Sequence, residues 1–309
     1  MTQPTIRAMQ PADRDDVAEL IYLSTNYWYQ THGRSAIFSG GPDVARVFFD
    51  VYEALDPGCG VVAVLPDSGR IIGSCFYHPR PTHVSVGIMN THPSYAGAGL
   101  ARNLLRWIIE YAESKKLPIR LISSAMNLDS FSLYTRAGFS PRCVYQDMML
   151  AVPAGGLSLD APGMSSVRPA RLADVDAMAA LESELVGIRR ERDFRYFIEN
   201  RDGWWHVSVF EGPTGRLEGF CGSCGHPGCN MVGPGVARDA GSAAALLRTE
   251  LDRHRGRTPV FLVPSDNRQL VLTAYGWGAR NCEIHFGQVR GEWTPIRGVT
   301  MPTFLPETA

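Results

Sequence analysis

The sequence is short of the features that mark several protein classes. No apolar run approaches the length of a membrane-spanning helix. The opening Met1-Thr2-Gln3-Pro4 has neither the basic nor the apolar region of a signal peptide, so a cytoplasmic protein with no membrane partner is expected. Neither sign of charge is in excess. A formal net charge of −1 with 20% charged residues speaks against nucleic acid as a partner. Cysteine is sparse and odd in number, seven scattered over 309 residues, which suits a reducing compartment rather than a disulfide framework. Nucleotide motifs are missing too. No lysine and hydroxyl follow Gly99 at P-loop spacing, Arg102 stands where a dinucleotide fingerprint needs Gly or Ala, and the companion motifs of a kinase glycine loop are absent. What remains has a globular profile, 45% hydrophobic and long enough for two ordinary domains.

The most informative stretch runs from Asn90 to Leu105. A strand-like segment, His83 to Thr91, enters a loop of small residues, and an amphipathic helix follows with Ala101, Leu104, Leu105, Ile108 and Ala112 on one face. Gly97 and Gly99 allow unusual dihedrals and close approach of a ligand. The first N–H groups of a helix lack intrahelical partners, and the dipole adds partial positive charge there. Strand, glycine loop and helix start together make a seat for a phosphate.

Around it the first half reads as strand, two helices, three strands, helix, strand, helix, strand. The strands are Thr5–Met9, Gly60–Leu65, Arg70–Tyr77, His83–Thr91, Ile119–Ser123 and Arg142–Val152. The later helices fall at Asp43–Leu55 and Asp129–Ala137. This is a mixed α+β pattern, not a regularly alternating one.

Val152 to Ser166 has linker composition, and beyond it the first pattern returns. Ile6-Arg7 and Ala12-Asp13 are echoed by Val167-Arg168 and Ala173-Asp174. Gly69-Arg70-Ile71-Ile72-Gly73-Ser74-Cys75 is echoed by Gly215-Arg216-Leu217-Glu218-Gly219-Phe220-Cys221. Asn127 and Gly138-Phe139 are echoed by Asn267 and Gly276-Trp277. Matches in one order indicate two copies of one domain: residues 1–152, a linker at 153–165, and a second copy at 166–309. The second copy carries Val236 to Ala244 in place of the glycine loop, without paired glycines. Counting back from its Gly-aromatic pair, Leu272 stands for Tyr134.

The first half resembles the GNAT N-acetyltransferase superfamily, and the second half is a fainter copy. The resemblance rests on Thr91-His92-Pro93 followed by Ala96-Gly97-Ala98-Gly99-Leu100-Ala101. It rests also on Asn127 followed by Leu133-Tyr134 and Gly138-Phe139. Ala96 departs from the family's usual Arg or Gln. The resemblance implies two tandem GNAT-like domains, each a mixed, largely antiparallel sheet flanked by helices, with the second copy degenerate. It implies acetyl-CoA as co-substrate, its pantetheine arm along Met89, Asn90 and Thr91 in the gap between that strand and the strand at Ile119. Its pyrophosphate would lie on Gly97, Ala98, Gly99, Leu100, Ala101 and Arg102, with Asn127 also at the cofactor.

Acetyl transfer to an amine needs a neutral nucleophile, a donor for the developing oxyanion, and a proton for the leaving thiolate. Tyr134 stands where the family places its general acid, and a phenol of pKa about 10 can protonate a thiolate whose acid lies near about 8.5. His83 is the leading candidate base, ahead of His92, Asp129 and Asp147. Tyr27, Trp28, Tyr29 and His32 fall where the family builds its acceptor wall, although core packing is the commoner fate of such a cluster.

Three further signals are discounted. Cys221 to Cys229 has Cys-x-x-Cys spacing, but Cys221 repeats Cys75, which belongs to no cluster, so no metal is expected. Leu305-Pro306-Glu307-Thr308-Ala309 is similar to a sorting signal but is read as an extended tail. Arg189 to Arg195 mixes signs and reads as a solvated helix face. The expectation is an N-acetyltransferase acting on the primary amine of a small molecule, with a homodimer as the assembly to test. A non-catalytic acyl-CoA-binding scaffold and a protein-lysine acetyltransferase are the alternatives.

Overall fold

The computed structural model describes residues 3–308. The chain divides into two compact units. One comprises the chain up to Pro79, His83–Ile119 and Leu305–Thr308; the other comprises Arg80–Thr82 and Arg120–Phe304.

The first unit contains β1 (Thr5–Ala8), α1 (Arg14–Thr31), α2 (Arg46–Leu55), β2 (Gly60–Val64), β3 (Ile71–Pro79), β4 (Val84–Thr91) and α3 (Leu100–Lys115). Its sheet runs β1-β2-β3-β4, each pair antiparallel. Phe76 of β3 packs on Phe49 and Tyr52 of α2, while Gly73, on the opposite face by the period of two, lies under Leu104 of α3. Helices therefore cover both faces. The buried stripe of α3 is Leu100, Leu104, Leu105, Ile108 and Ala112, so Leu100 rather than Ala101 opens it.

The second unit contains β5 (Ile119–Ser124, its first residue just before the division), α4 (Leu128–Arg136), β6 (Ser140–Met149), β7 (Val167–Pro169), α5 (Val175–Val186), α6 (Glu191–Glu199), β8 (Trp205–Glu211), β9 (Leu217–His226), β10 (Cys229–Ala237), α7 (Ala240–Leu251), β11 (Val260–Pro264), α8 (Arg268–Gly276), β12 (Arg280–Arg290) and β13 (Val299–Met301). Its strand order is β5-β12-β6-β11-β10-β9-β8-β7, with β13 on β10. The β10–β11 pair is parallel, and β6 is antiparallel to both β11 and β12. The closing strand of each repeat has thus changed places. β12 lies next to β5, and β6 lies next to β11.

The repeat is written into matching contacts. Arg7 pairs with Asp13 at 2.7 Å, and Asp13 accepts from the N–H of Gln10. Arg168 pairs with Asp174 at 2.8 Å, and Asp174 accepts from the N–H of Arg171. A Cβ at Gly73 would meet Leu104 of α3, and one at Gly219 would meet Leu246 of α7. Asn127 and Asn267 cap α4 and α8 in the same way. Gly138 and Gly278 follow those helices with the same φ of +89°. This register, 140 residues apart, corrects one expectation. The counterpart of Tyr134 is Ala274, not Leu272, because the turn after α8 is made by Gly278 and Gly276 is still helical.

Two other expectations are corrected. The stretch from Arg189 to Arg195 is not a solvated face throughout. Arg190 and Asp193 are fully buried, because Glu182 on the preceding helix pairs with Arg190, and Arg80, distant in sequence, pairs with Asp193. Residues 305–308 are not a free tail either; Leu305 and Thr308 are buried in the first unit, where burial also holds the Glu307 carboxyl well above its usual range. Residues 153–165 carry no strand, yet Arg248 of α7 binds the carbonyls of Leu157 and Leu159.

Candidate active site

In the first unit, β4 brings Met89, Asn90 and Thr91 to the edge of the glycine loop. β4 is bulged. Cys75 faces Met89 and Tyr77 faces Val86, so Phe76 stands opposite both Gly87 and Ile88. Asn90 is buried, its Nδ2 donating to Ser24 Oγ at 2.8 Å. Beyond Thr91, His92 accepts from the N–H of Ser94, and its Nε2 lies 3.0 Å from Arg70 Nη2. Burial, then the neighbouring Arg70 charge, lowers the His92 pKa.

Gly97 and Gly99 have φ of +78° and +76°, the left-handed region that L side chains rarely enter. Gly97, Ala98 and Arg102 are exposed, while Leu100 points into the core and fastens the helix start. Gly99 is the N-cap of α3, and no side chain among the described residues caps the helix. The first intrahelical bond there is Asn103 N–H to Gly99 O, which leaves the amides of Leu100, Ala101 and Arg102 to an outside acceptor. The Arg102 guanidinium lies 3.3 Å from where a Gly99 Cβ would stand. Open amides, a helix dipole and an adjacent cation suit a phosphate-bearing ligand such as CoA.

The second copy offers no such place. Asp239 is the N-cap of α7, and its carboxylate accepts from Ser242 N–H. The cleft that begins where β10 parts from β11 is also filled. The two strands pair only at Met231 and Val232, and from Gly235 onward β10 pairs with β13.

In the second unit, Tyr134 is buried on α4 with its ring edge-on to Phe139 at 5.9 Å. Asn127 accepts from Ser130 N–H, so its side chain starts α4. Beside it, β6 and β12 bring Asp147, Glu283 and His285 together, a grouping the sequence did not reveal because two strands 136 residues apart must first pair. Among the described residues no other three His, Cys, Asp or Glu donors converge, the cysteines of β9 and β10 included.

His83 is fully buried in the first unit, with Nε2 2.8 Å from the carbonyl of Thr308. A second histidine there escaped sequence reasoning. His78 Nδ1 lies 2.7 Å from Asp56 Oδ2, both groups enclosed, and its Nε2 abuts Gly87 at the bulge. Tyr27, Trp28, Tyr29 and His32 are not core. They stand on the open end of α1, Tyr27 being 51% exposed, with Trp28 stacked on His32 at 4.2 Å. No helix among the described residues is long and apolar enough to cross a membrane.

The chain is similar to known proteins in sequence pattern and in fold. Residues 19–139 match the model of the Acetyltransferase (GNAT) family. No curated protein matches. Among solved structures, a Pyrococcus horikoshii protein described provisionally as an acetyltransferase shares 14% identity, with 100% of this chain and 94% of that one covered at a TM-score of 0.74. A GCN5-related N-acetyltransferase from Sphaerobacter thermophilus shares 19%, with 95% and 97% covered at 0.63. A tandem GNAT protein from the clavulanic acid biosynthesis pathway shares 14%, with 94% and 100% covered at 0.61.

Proposed function

We propose that this chain, an acetyltransferase built as a tandem of GNAT folds, passes acetyl from acetyl-CoA to the primary amine of a small molecule by direct attack. The observation that carries the reading is the uncapped, glycine-opened N-terminus of α3, set against the carboxylate-capped α7. The pyrophosphate is assigned to the amides from Gly97 to Arg102, and the pantetheine arm to the backbone of Met89, Asn90 and Thr91. Asn127 contributes by starting α4.

In this reading the amine nitrogen attacks the thioester carbonyl, the C–S bond breaks, and Tyr134 gives its phenolic proton to the departing thiolate. His83 is the assigned acceptor of the ammonium proton. It also holds Thr308, so His83→Gln must be read on two axes. A lowered kcat with an altered pH profile and unchanged Tm marks a base, and a lowered Tm alone marks an anchor. The exposed aromatic cluster at the end of α1 supports an amine acceptor, since ring faces attract cations.

The test is release of free CoA across a panel of small amines and a lysine peptide, alongside acetyl-CoA-dependent thermal stabilisation. Stabilisation with amine-stimulated release supports the enzyme. Stabilisation with no release from any amine makes the chain an acyl-CoA-binding scaffold. Absence of stabilisation removes the acetyl-CoA reading altogether.

A further inference from the structure

The register of two strands places three metal-ligating side chains on one face of the second unit. Glu283 of β12 is paired directly with Asp147 of β6, and His285, two residues on, points the same way. One donor atom from each lies within 4.8 Å of the other two, and all three residues are buried. His285 Nδ1 is 2.9 Å from Asp147 Oδ2. Asp147 Oδ1 makes no hydrogen bond among the described residues, and His285 Nδ1 has only that ion-pair contact, although Asp147 is only 2% and His285 only 6% exposed. A buried polar atom without a partner is destabilising, and more so when charged. Burial pushes the Asp147 carboxyl up, with the His285 ring acting against it. The hydroxyl of Ser124, at the end of β5, donates to Glu283, as an outer partner does in orienting a ligand carboxylate.

We propose that Asp147, Glu283 and His285 bind one divalent transition-metal ion, Zn²⁺ by the character of the donors. An imidazole with two carboxylates suits Zn²⁺, whereas Mg²⁺ and Ca²⁺ favour oxygen alone. Three protein ligands leave a fourth position for water or another ligand. The ion would tie β12 to β6 beside the start of α4. The inference stands whether or not the chain transfers acetyl groups.

The experiment uses the full chain, stripped with a chelator, desalted and titrated with ZnCl₂, with metal content by mass spectrometry and Co²⁺ as a visible-absorption probe. One Zn²⁺ per chain, a Zn²⁺-dependent rise in Tm and tetrahedral Co²⁺ bands are expected. His285→Gln and Asp147→Asn should each abolish all three, and Ser124→Ala should weaken binding about tenfold to a hundredfold. Cys224→Ser and Cys229→Ser should change nothing. Each variant is compared at its metal-free Tm, and His285→Asn replaces His285→Gln if the latter does not fold. Wild type that binds no Zn²⁺, binding that survives loss of His285, or binding lost with the cysteines would each overturn the proposal.

Discussion

Asp239 accepts a hydrogen bond from the backbone N–H of Ser242 at 2.9 Å. Its first-copy counterpart at the helix N-cap is Gly99, which has no side chain to offer. The second copy thus carries a negative charge where a phosphate would seat. Gly99→Asp is therefore expected to abolish acetyl-CoA-dependent thermal stabilisation, an affinity loss of at least about tenfold (about 1.4 kcal/mol). The metal-free, ligand-free protein should lose only about 1–2 kcal/mol through the strained φ. A variant that keeps the full acetyl-CoA shift would remove the pyrophosphate assignment.

Tyr134 and Ala274 occupy the same place in the two repeats, a phenol in one and a methyl in the other. Tyr134→Phe keeps the buried ring against Phe139 and removes only the hydroxyl. Stability should stay near wild type, while kcat for CoA release falls by roughly 10²-fold, the low end for general acid–base catalysis, with KM for acetyl-CoA little changed. An unchanged kcat would return Tyr134 to a packing role.

His254 is held by Asn230, whose Oδ1 lies 2.7 Å from Nδ1. Burial, then the charges of Arg257 and His206, lower its pKa from 6.5 to about 4. The unfolded chain takes its proton near 6.5 and the folded chain only near 4, so the unfolded state binds more protons between these values. Stability from this group is full above pH 6.5 and is lost as pH falls through the window, on the order of 3 kcal/mol in all. Thermal melts from pH 7 to 4 should show the loss, and His254→Gln should flatten it. An equal slope in the variant would assign acid sensitivity elsewhere.

Arg80 donates Nε to Asp193 at 3.0 Å, both side chains being almost fully enclosed. Removing one partner leaves a buried charge, so Arg80→Met should cost about 3–5 kcal/mol in a urea melt. The double variant Arg80→Met, Asp193→Leu should recover most of that. If the double is as unstable as the single, the pair contributes through packing and not charge.

Legibility in the sequence followed the range of the interaction. Gly97 and Gly99 announced a left-handed loop because a positive φ is a property of single residues. The Arg7–Asp13 and Arg168–Asp174 bridges span six residues, and their echo marked the repeat correctly. The Tyr134 counterpart was displaced by two positions because Gly276-Trp277 imitates Gly138-Phe139, while the cap that decides it is a backbone dihedral at Gly278. The exchange of β6 and β12 was hidden, since alternation names the face of a strand and not its neighbour. His78 with Asp56, Arg80 with Asp193, and the trio of Asp147, Glu283 and His285 each join residues that only the completed sheets bring together.

Residues 299–308 serve both units. Val299–Met301 pair with β10 in one, and Leu305 and Thr308 are buried in the other. During synthesis, then, neither unit can finish packing when its own strands and helices have left the ribosome. Each waits for the same ten residues, with β10 offering an unpaired edge in the interval. A cell that makes this chain has to tolerate two incomplete sheets until that segment arrives, and a premature stop upstream of Val299 would leave both in that state.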